Sequence, residues 1–99
     1  MSKLKVDNTI RIQFVTSANC AECIQVKQIL KEIKSQFPNV LIQEYDVMGL
    51  KGLKLAVKHG VLANPGIIIN DEFFSAGSLD KEKLFEKIKS LENSHNKLS

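Results

Sequence analysis

The seven residues Ser17-Ala18-Asn19-Cys20-Ala21-Glu22-Cys23 hold both cysteines of a 99-residue chain. They stand where a strand pattern gives way to a helical one. Upstream, Ile10-Arg11-Ile12-Gln13-Phe14-Val15 alternates apolar and polar side chains and closes on an apolar pair. That alternation predicts a strand whose C-terminal end delivers residues 17–19 as a loop. Downstream, Cys23, Val26, Leu30, Ile33 and Phe37 recur at steps of three and four and form one stripe on a helix. Lys27, Lys31, Glu32 and Lys34 lie mostly on the opposite side, and Pro38 ends the helix because the residue before proline disfavours helical backbone. Cys23 belongs to the buried stripe, whereas Cys20 precedes the first turn and stays accessible. The unpaired N–H groups and partial positive charge of a helix N-terminus stabilise a thiolate at Cys20. Two cysteines so placed can close a small disulfide without moving the backbone far, which suits them to thiol–disulfide exchange.

The bulk numbers fit one soluble domain spanning residues 1–99, with a core over about residues 10–91 and polar tails at both ends. Hydrophobic residues make up 43% and charged residues 25%, both ordinary for a globular chain. The net charge is only +3, and the lysines are spread along the sequence. Neither a nucleic-acid partner nor an anionic membrane surface is indicated. Residues 1–8 lack the apolar stretch of a signal peptide, and every apolar run is too short to cross a bilayer. A cytoplasmic location is therefore expected. There a structural disulfide is uncommon, and a C-x-x-C pair is more often catalytic or metal-binding.

Residues 40–47 read as a second strand, interrupted by Gln43 and Glu44. A strand, helix and strand in series predict a parallel pair with a right-handed crossover. Leu50, Leu53 and Val57 mark a short second helix and are expected to be its core face, weakened by Gly52 and closed by Gly60. After a loop over residues 61–66, Ile67-Ile68-Ile69 reads as a strand covered on both faces. Asn70-Asp71 is a two-residue hairpin turn, and residues 72–76 return as an edge strand before Gly77 lets the chain bend away. Asp80 is the N-cap of a last helix, with Leu79 and Leu84 as a hydrophobic staple and Leu84, Phe85, Ile88 and Leu91 on its inner face. From Asn93 the tail is polar and expected to fray. The order is β-α-β-α-β-β-α, an α/β architecture with one four-stranded mixed sheet and helices on both faces.

This order resembles the thioredoxin-like fold over nearly the whole chain, from Ile10 to about Leu91. C-x-x-C stands between the first strand and first helix, and a proline just before the third strand. The anchors are Cys20-Ala21-Glu22-Cys23, Asn64-Pro65, and His59-Gly60-Val61, which looks like the aromatic-Gly-Val stretch before the proline loop. The short length and the Asn70-to-Gly77 hairpin look most like the small thioredoxin/glutaredoxin-like redox proteins of prokaryotes. The resemblance implies that Pro65 is cis and packs beside the active disulfide, with the backbone of Ala63 and Asn64 free to pair with a substrate strand. It implies disulfide-containing protein substrates, an upstream reductase, and no cofactor beyond the redox-active disulfide Cys20–Cys23. Several positions depart from the family pattern. Ala21-Glu22 replaces the familiar Gly-Pro or Pro-Tyr, there is no tryptophan, and Phe14 stands where thioredoxins carry a buried aspartate six residues before the first cysteine. The glutaredoxin pattern for glutathione, a Gly-Gly and a following acid near the last helix, is answered only by Gly77 and Asp80. Glutathione thus stays open as a partner.

On this reading Cys20 attacks a substrate disulfide and Cys23 resolves the mixed disulfide. Glu22 opposes the Cys20 thiolate by like charge, while the helix terminus and Lys27 favour it. A less stabilised thiolate makes a weaker oxidant, so a reducing potential is expected, nearer about −270 mV than about −120 mV. Glu22 also suits the helix dipole simply as a first-turn acid, and His59 reads as a surface residue at a helix C-terminus. The rival reading is a metal-binding module on Cys20 and Cys23. His59 and His95, the other strong candidate ligands, lack zinc-like spacing, so no metal is expected in a monomer. A redox-sensing interaction module without turnover is a third reading.

Overall fold

The computed structural model describes residues 9–18 and 20–98, with side chains described through residue 92. Residues 1–8, Asn19 of the predicted loop, and the side chain of His95 lie outside the described residues. The elements are β1 (Ile10–Thr16), α1 (Ala21–Gln36), β2 (Val40–Asp46), α2 (Leu50–His59), β3 (Gly66–Ile69), β4 (Glu72–Ala76) and α3 (Lys81–Leu98). They follow the order expected from the sequence.

One sheet runs β2-β1-β3-β4. β1 and β2 are parallel, in a register that sets Phe14 opposite Glu44 and Thr16 opposite Asp46. β3 is antiparallel to β1, with Val15 opposite Gly66, and β4 returns along β3 with a register shift between Ile67 and Ile68. Strand geometry sends alternate side chains to opposite faces. Ile10, Ile12, Phe14, Ile67 and Ile69 therefore share one face, where they are buried in a single cluster with Cys23, Val26, Leu30 and Ile33 of α1 and Leu84 and Ile88 of α3. The two helices lie side by side there. Phe37 and Phe85 are tilted with ring centroids 6.1 Å apart, and Lys81 pairs with Glu32 at 2.7 Å. On the other face, Gln13 and Tyr45 border a cavity with Lys51, Lys54, Leu55 and Lys58 of α2. All four residues of β3 are buried, as a strand covered on both sides requires.

Asn70 and Asp71 both have positive φ, 50° and 68°, as a tight two-residue hairpin turn demands. The turn is also tied sideways to β1. Asn70 Oδ1 accepts the Arg11 N–H at 2.9 Å, and the Asn70 N–H donates to the Arg11 carbonyl at 2.8 Å. At the start of α3, Asp80 Oδ1 accepts from the N–H groups of Glu82 and Lys83 at 3.0 and 3.3 Å.

One expectation is corrected. Leu50, Leu53 and Val57 do not form the core face of α2: Leu50 is 70% and Val57 74% exposed, and the helix buries Gly52 and Ala56 instead. The reason lies in the close approach of α2 to the end of β2. A Cβ on Gly52 would lie 2.0 Å from the Asp46 carbonyl oxygen, so only glycine lets the helix seat there. That contact fixes the helix rotation and turns the leucine stripe outward. At the C-terminus, α3 runs on through the polar segment to Leu98. Residues 93–98 contain neither proline nor glycine, so nothing in the backbone stops the helix.

Candidate functional site: the helix-capped disulfide

Because β1 and β2 are parallel, their C-terminal ends open on the same edge of the sheet, and α1 starts there. The Val47 N–H closes the edge by donating to the Thr16 carbonyl at 2.8 Å. Cys20 and Cys23 are joined in a disulfide with Cα atoms 5.2 Å apart. Cys20 is itself the N-cap of α1. Its backbone is extended (φ −109°, ψ 103°), and its Sγ accepts the Cys23 N–H at 3.1 Å. The sulfur thus occupies the place that a serine or aspartate oxygen takes in an ordinary cap, at the positive end of the helix dipole. Cys20 is partly exposed, while Cys23 is 4% exposed and belongs to the core cluster. Cys20 is thus the more exposed of the two cysteines.

Both cysteines line an open cleft of about 690 Å³ together with Thr16, Ser17, Ile24, Lys27, Glu44 and Asp46. Lys27 Nζ reaches Glu44 Oε2 at 3.4 Å, spanning from α1 to β2. Asp46 Oδ1 accepts the Met48 N–H at 2.8 Å and shapes the exit from β2. Lys27 thus shares the cleft with the disulfide. Glu22 is an exposed first-turn acid outside the cleft lining. His59 is half-buried at the end of α2, and its Nε2 is buried without a hydrogen bond among the described residues.

Ala63, Asn64 and Pro65 do not line this cleft; they approach the site from the other side of β1. The Asn64–Pro65 peptide bond is cis. The Val15–Gly66 pairing brings Pro65 beside the end of β1, where the loop to Cys20 begins. Pro65 is buried, and its carbonyl accepts the Gly77 N–H at 2.9 Å. Ala63 is exposed, and no hydrogen bond among the described residues uses the main chain of Ala63 or Asn64.

Glu44 and Asp46 also line the cleft, and the sequence reading did not single them out. Glu44 looked like an interruption of an apolar strand. The signal that could have found it was the parallel pairing itself, which puts the polar end of β2 level with the C-x-x-C loop. Among the described residues no group of three or more His, Cys, Asp or Glu side chains is arranged to hold a metal ion.

Comparison with known proteins agrees with this arrangement. A family profile described as a thioredoxin domain matches residues 9–90. The thioredoxin of Methanocaldococcus jannaschii is 30% identical over 80 residues, which cover 81% of this chain and 93% of that protein. A probable thioredoxin of Methanothermobacter thermautotrophicus is 29% identical over 80 residues, covering 80% and 92%. Among solved structures, thioredoxin O2 of Arabidopsis thaliana in its oxidised state superposes with a TM-score of 0.68 at 17% identity, covering 85% of this chain and 76% of that one. A thioredoxin-like protein from Clostridium perfringens gives 0.71 at 17% identity, covering 85% and 71%. These distant structures share the fold, and the profile match over most of the chain carries the assignment. With its helix-capped Cys20–Cys23 pair, the chain belongs to the thioredoxin domain family and is a thiol–disulfide oxidoreductase.

Proposed function

We propose that the protein is a protein-disulfide reductase of the thioredoxin kind, with Cys20 as nucleophile and Cys23 as resolving thiol. The observation that carries this reading is the asymmetry of the two sulfurs: Cys20 Sγ caps α1 and accepts the Cys23 N–H, while Cys23 is packed into the core. In the dithiol form, the helix terminus favours a thiolate at Cys20 and burial disfavours one at Cys23. The Cys20 thiolate attacks a substrate disulfide, one substrate sulfur leaves as thiolate, and a mixed disulfide forms. Cys23, tethered one helical turn along, then attacks Cys20 and releases the second substrate sulfur. Two electrons pass to the substrate, and an upstream reductase returns them to the pair.

The disulfide is the only redox group this mechanism needs. An extended substrate segment would lie against the main chain of Ala63 and Asn64 beside Pro65, with its disulfide over Cys20. The exposed Ala63 and the main-chain groups of Ala63 and Asn64 support that docking. The glutathione alternative has less support, because Asp80 Oδ1 is engaged in capping α3. A monomer working in a reducing, cytoplasmic compartment fits the reducing poise expected from the sequence, about −270 mV. Equilibration with a dithiol buffer should return a potential in that region, and a value near about −120 mV would overturn the reductase reading.

The direct test is trapping. Cys23→Ser should accumulate covalent mixed disulfides with protein partners through Cys20, and Cys20→Ser should accumulate none. Equal trapping by both variants, or trapping by Cys20→Ser alone, would reverse the assignment.

A further inference from the structure

Release of substrate requires a thiolate at Cys23, and burial makes that sulfur the harder of the two to ionise. Its proton needs an acceptor close by. Among the described residues no polar or charged residue is buried as a whole, and the acids that share a cleft with Cys23 are the candidates for this role. β1 has no acid to offer, since its only charged residue is Arg11. The charged side chains that line the cleft are Lys27, Glu44 and Asp46. Asp46 stands at the very end of β2 and is engaged with the Met48 N–H. Glu44 lies two residues deeper, opposite Phe14, and Lys27 Nζ holds its Oε2 at 3.4 Å. Lys27 follows Cys23 by four residues on α1, so the two side chains are neighbours on one helix face. The ion pair therefore sets a carboxylate on the same cleft as the disulfide, beside a lysine one helical turn along from Cys23.

We propose that Glu44 is the proton acceptor of the resolving step and that Lys27 is the positioning residue that holds it over the cleft. This rests on the roles of Cys20 and Cys23 proposed above. The Cys23 thiol gives its proton to a Glu44 carboxylate oxygen, directly or across solvent in the cleft. The resulting thiolate attacks Cys20 Sγ: the Cys20–Cys23 bond forms and the bond from Cys20 to the substrate sulfur breaks. The electron pair leaves on the substrate sulfur, which takes up the proton from Glu44 or from solvent. No outside oxidant or reductant enters this step. The charged groups facing Glu44 are Lys27, Lys31 and Lys34 of α1, which border the adjoining cavity with it, and Asp46 of its own strand; β1 adds none there. The exposed character of the pair (53% for Lys27, 44% for Glu44) lets the carboxylate exchange its proton with water between turnovers.

The test is a single turnover of the reduced protein with 5,5′-dithiobis(2-nitrobenzoate), in which the first coloured thiolate reports attack by Cys20 and the second reports attack by Cys23. Glu44→Gln should leave the first release within about threefold and slow the second roughly a hundredfold at pH 7, the usual size of a general-base contribution. In that variant the second release should climb about tenfold per pH unit as hydroxide takes over the proton, so that it meets the wild type in alkali. Glu44→Asp should recover part of the rate, and Lys27→Met should slow the second release less than Glu44→Gln does. The proposal is overturned if the second release of Glu44→Gln matches the wild type at pH 7. It is equally overturned if that release is slowed by one constant factor at every pH, which is the mark of altered packing. Absence of the first release in the wild type would overturn the Cys20 assignment, and this inference with it.

Discussion

A sulfur in an N-cap position has two roles at once, and substitution separates them. Cys20 Sγ satisfies a helix N–H and is also the proposed nucleophile. Cys20→Ser and Cys20→Ala both abolish the disulfide, yet serine keeps a capping oxygen and alanine does not. Chemical unfolding should find the serine variant more stable by about 1 kcal/mol, with redox activity absent from both. Asp71 gives a second handle at this scale. Its carboxyl is held below the ordinary 3.8 first by the hydrogen bond from Arg11, against some desolvation, and then by the charges of Arg11, Lys58 and His59. A depressed folded-state value means stability that is fully present above 3.8 and lost as the pH falls toward the folded value. Asparagine tolerates the positive φ of this position, so Asp71→Asn removes only the charge. Its urea midpoint should fall below that of the wild type at pH 7, and the gap should close in acid below 3.8.

Among the elements, α2 shows how one backbone contact can override a hydrophobic pattern. Ala in place of Gly normally stabilises a helix interior by about 0.5–1 kcal/mol. At Gly52 the added Cβ would meet the Asp46 carbonyl at 2.0 Å, and Asp46 is part of the cleft. Gly52→Ala should therefore destabilise by about 1–3 kcal/mol and slow thiol exchange by shifting the end of β2, as thermal unfolding and turnover assays would show. The same contact explains what the sequence could not disclose. Period and punctuation were enough to read β1, α1, the Ile67–Ile69 strand, the Asn70-Asp71 turn and the Asp80 cap, because each depends on local chemistry. The outward turn of Leu50, Leu53 and Val57 depends on a tertiary approach that only the folded chain contains. Cys20 and Cys23 were legible because spacing and helix position define them. Glu44 was not, because its meaning comes from the register of a strand 30 residues away from Phe14.

The whole molecule couples its fold to its redox state. The disulfide joins the start of α1 to the core cluster and closes a loop of only four residues, from Cys20 to Cys23. On the loop-entropy account such a closure stabilises the folded chain by about 2 kcal/mol. The oxidised protein should therefore unfold at higher denaturant than the dithiol form. The same difference must appear as a stronger tendency of the folded chain to hold its disulfide, compared with the unfolded one. Equal midpoints for the two forms would show that native packing opposes the disulfide as much as chain entropy favours it. The architecture around the pair was legible at this scale too, since a β-α-β-α-β-β-α order with C-x-x-C after the first strand leaves few compact arrangements.

Exchange by this route requires a reactive thiol at the partly exposed Cys20 and an unreactive one at the buried Cys23. Brief alkylation of the reduced protein at neutral pH, followed by peptide mass mapping, measures this directly. Carbamidomethyl should accumulate on Cys20 while Cys23 stays unmodified until the chain is unfolded. Equal labelling of the two cysteines, or preferential labelling of Cys23, would contradict it.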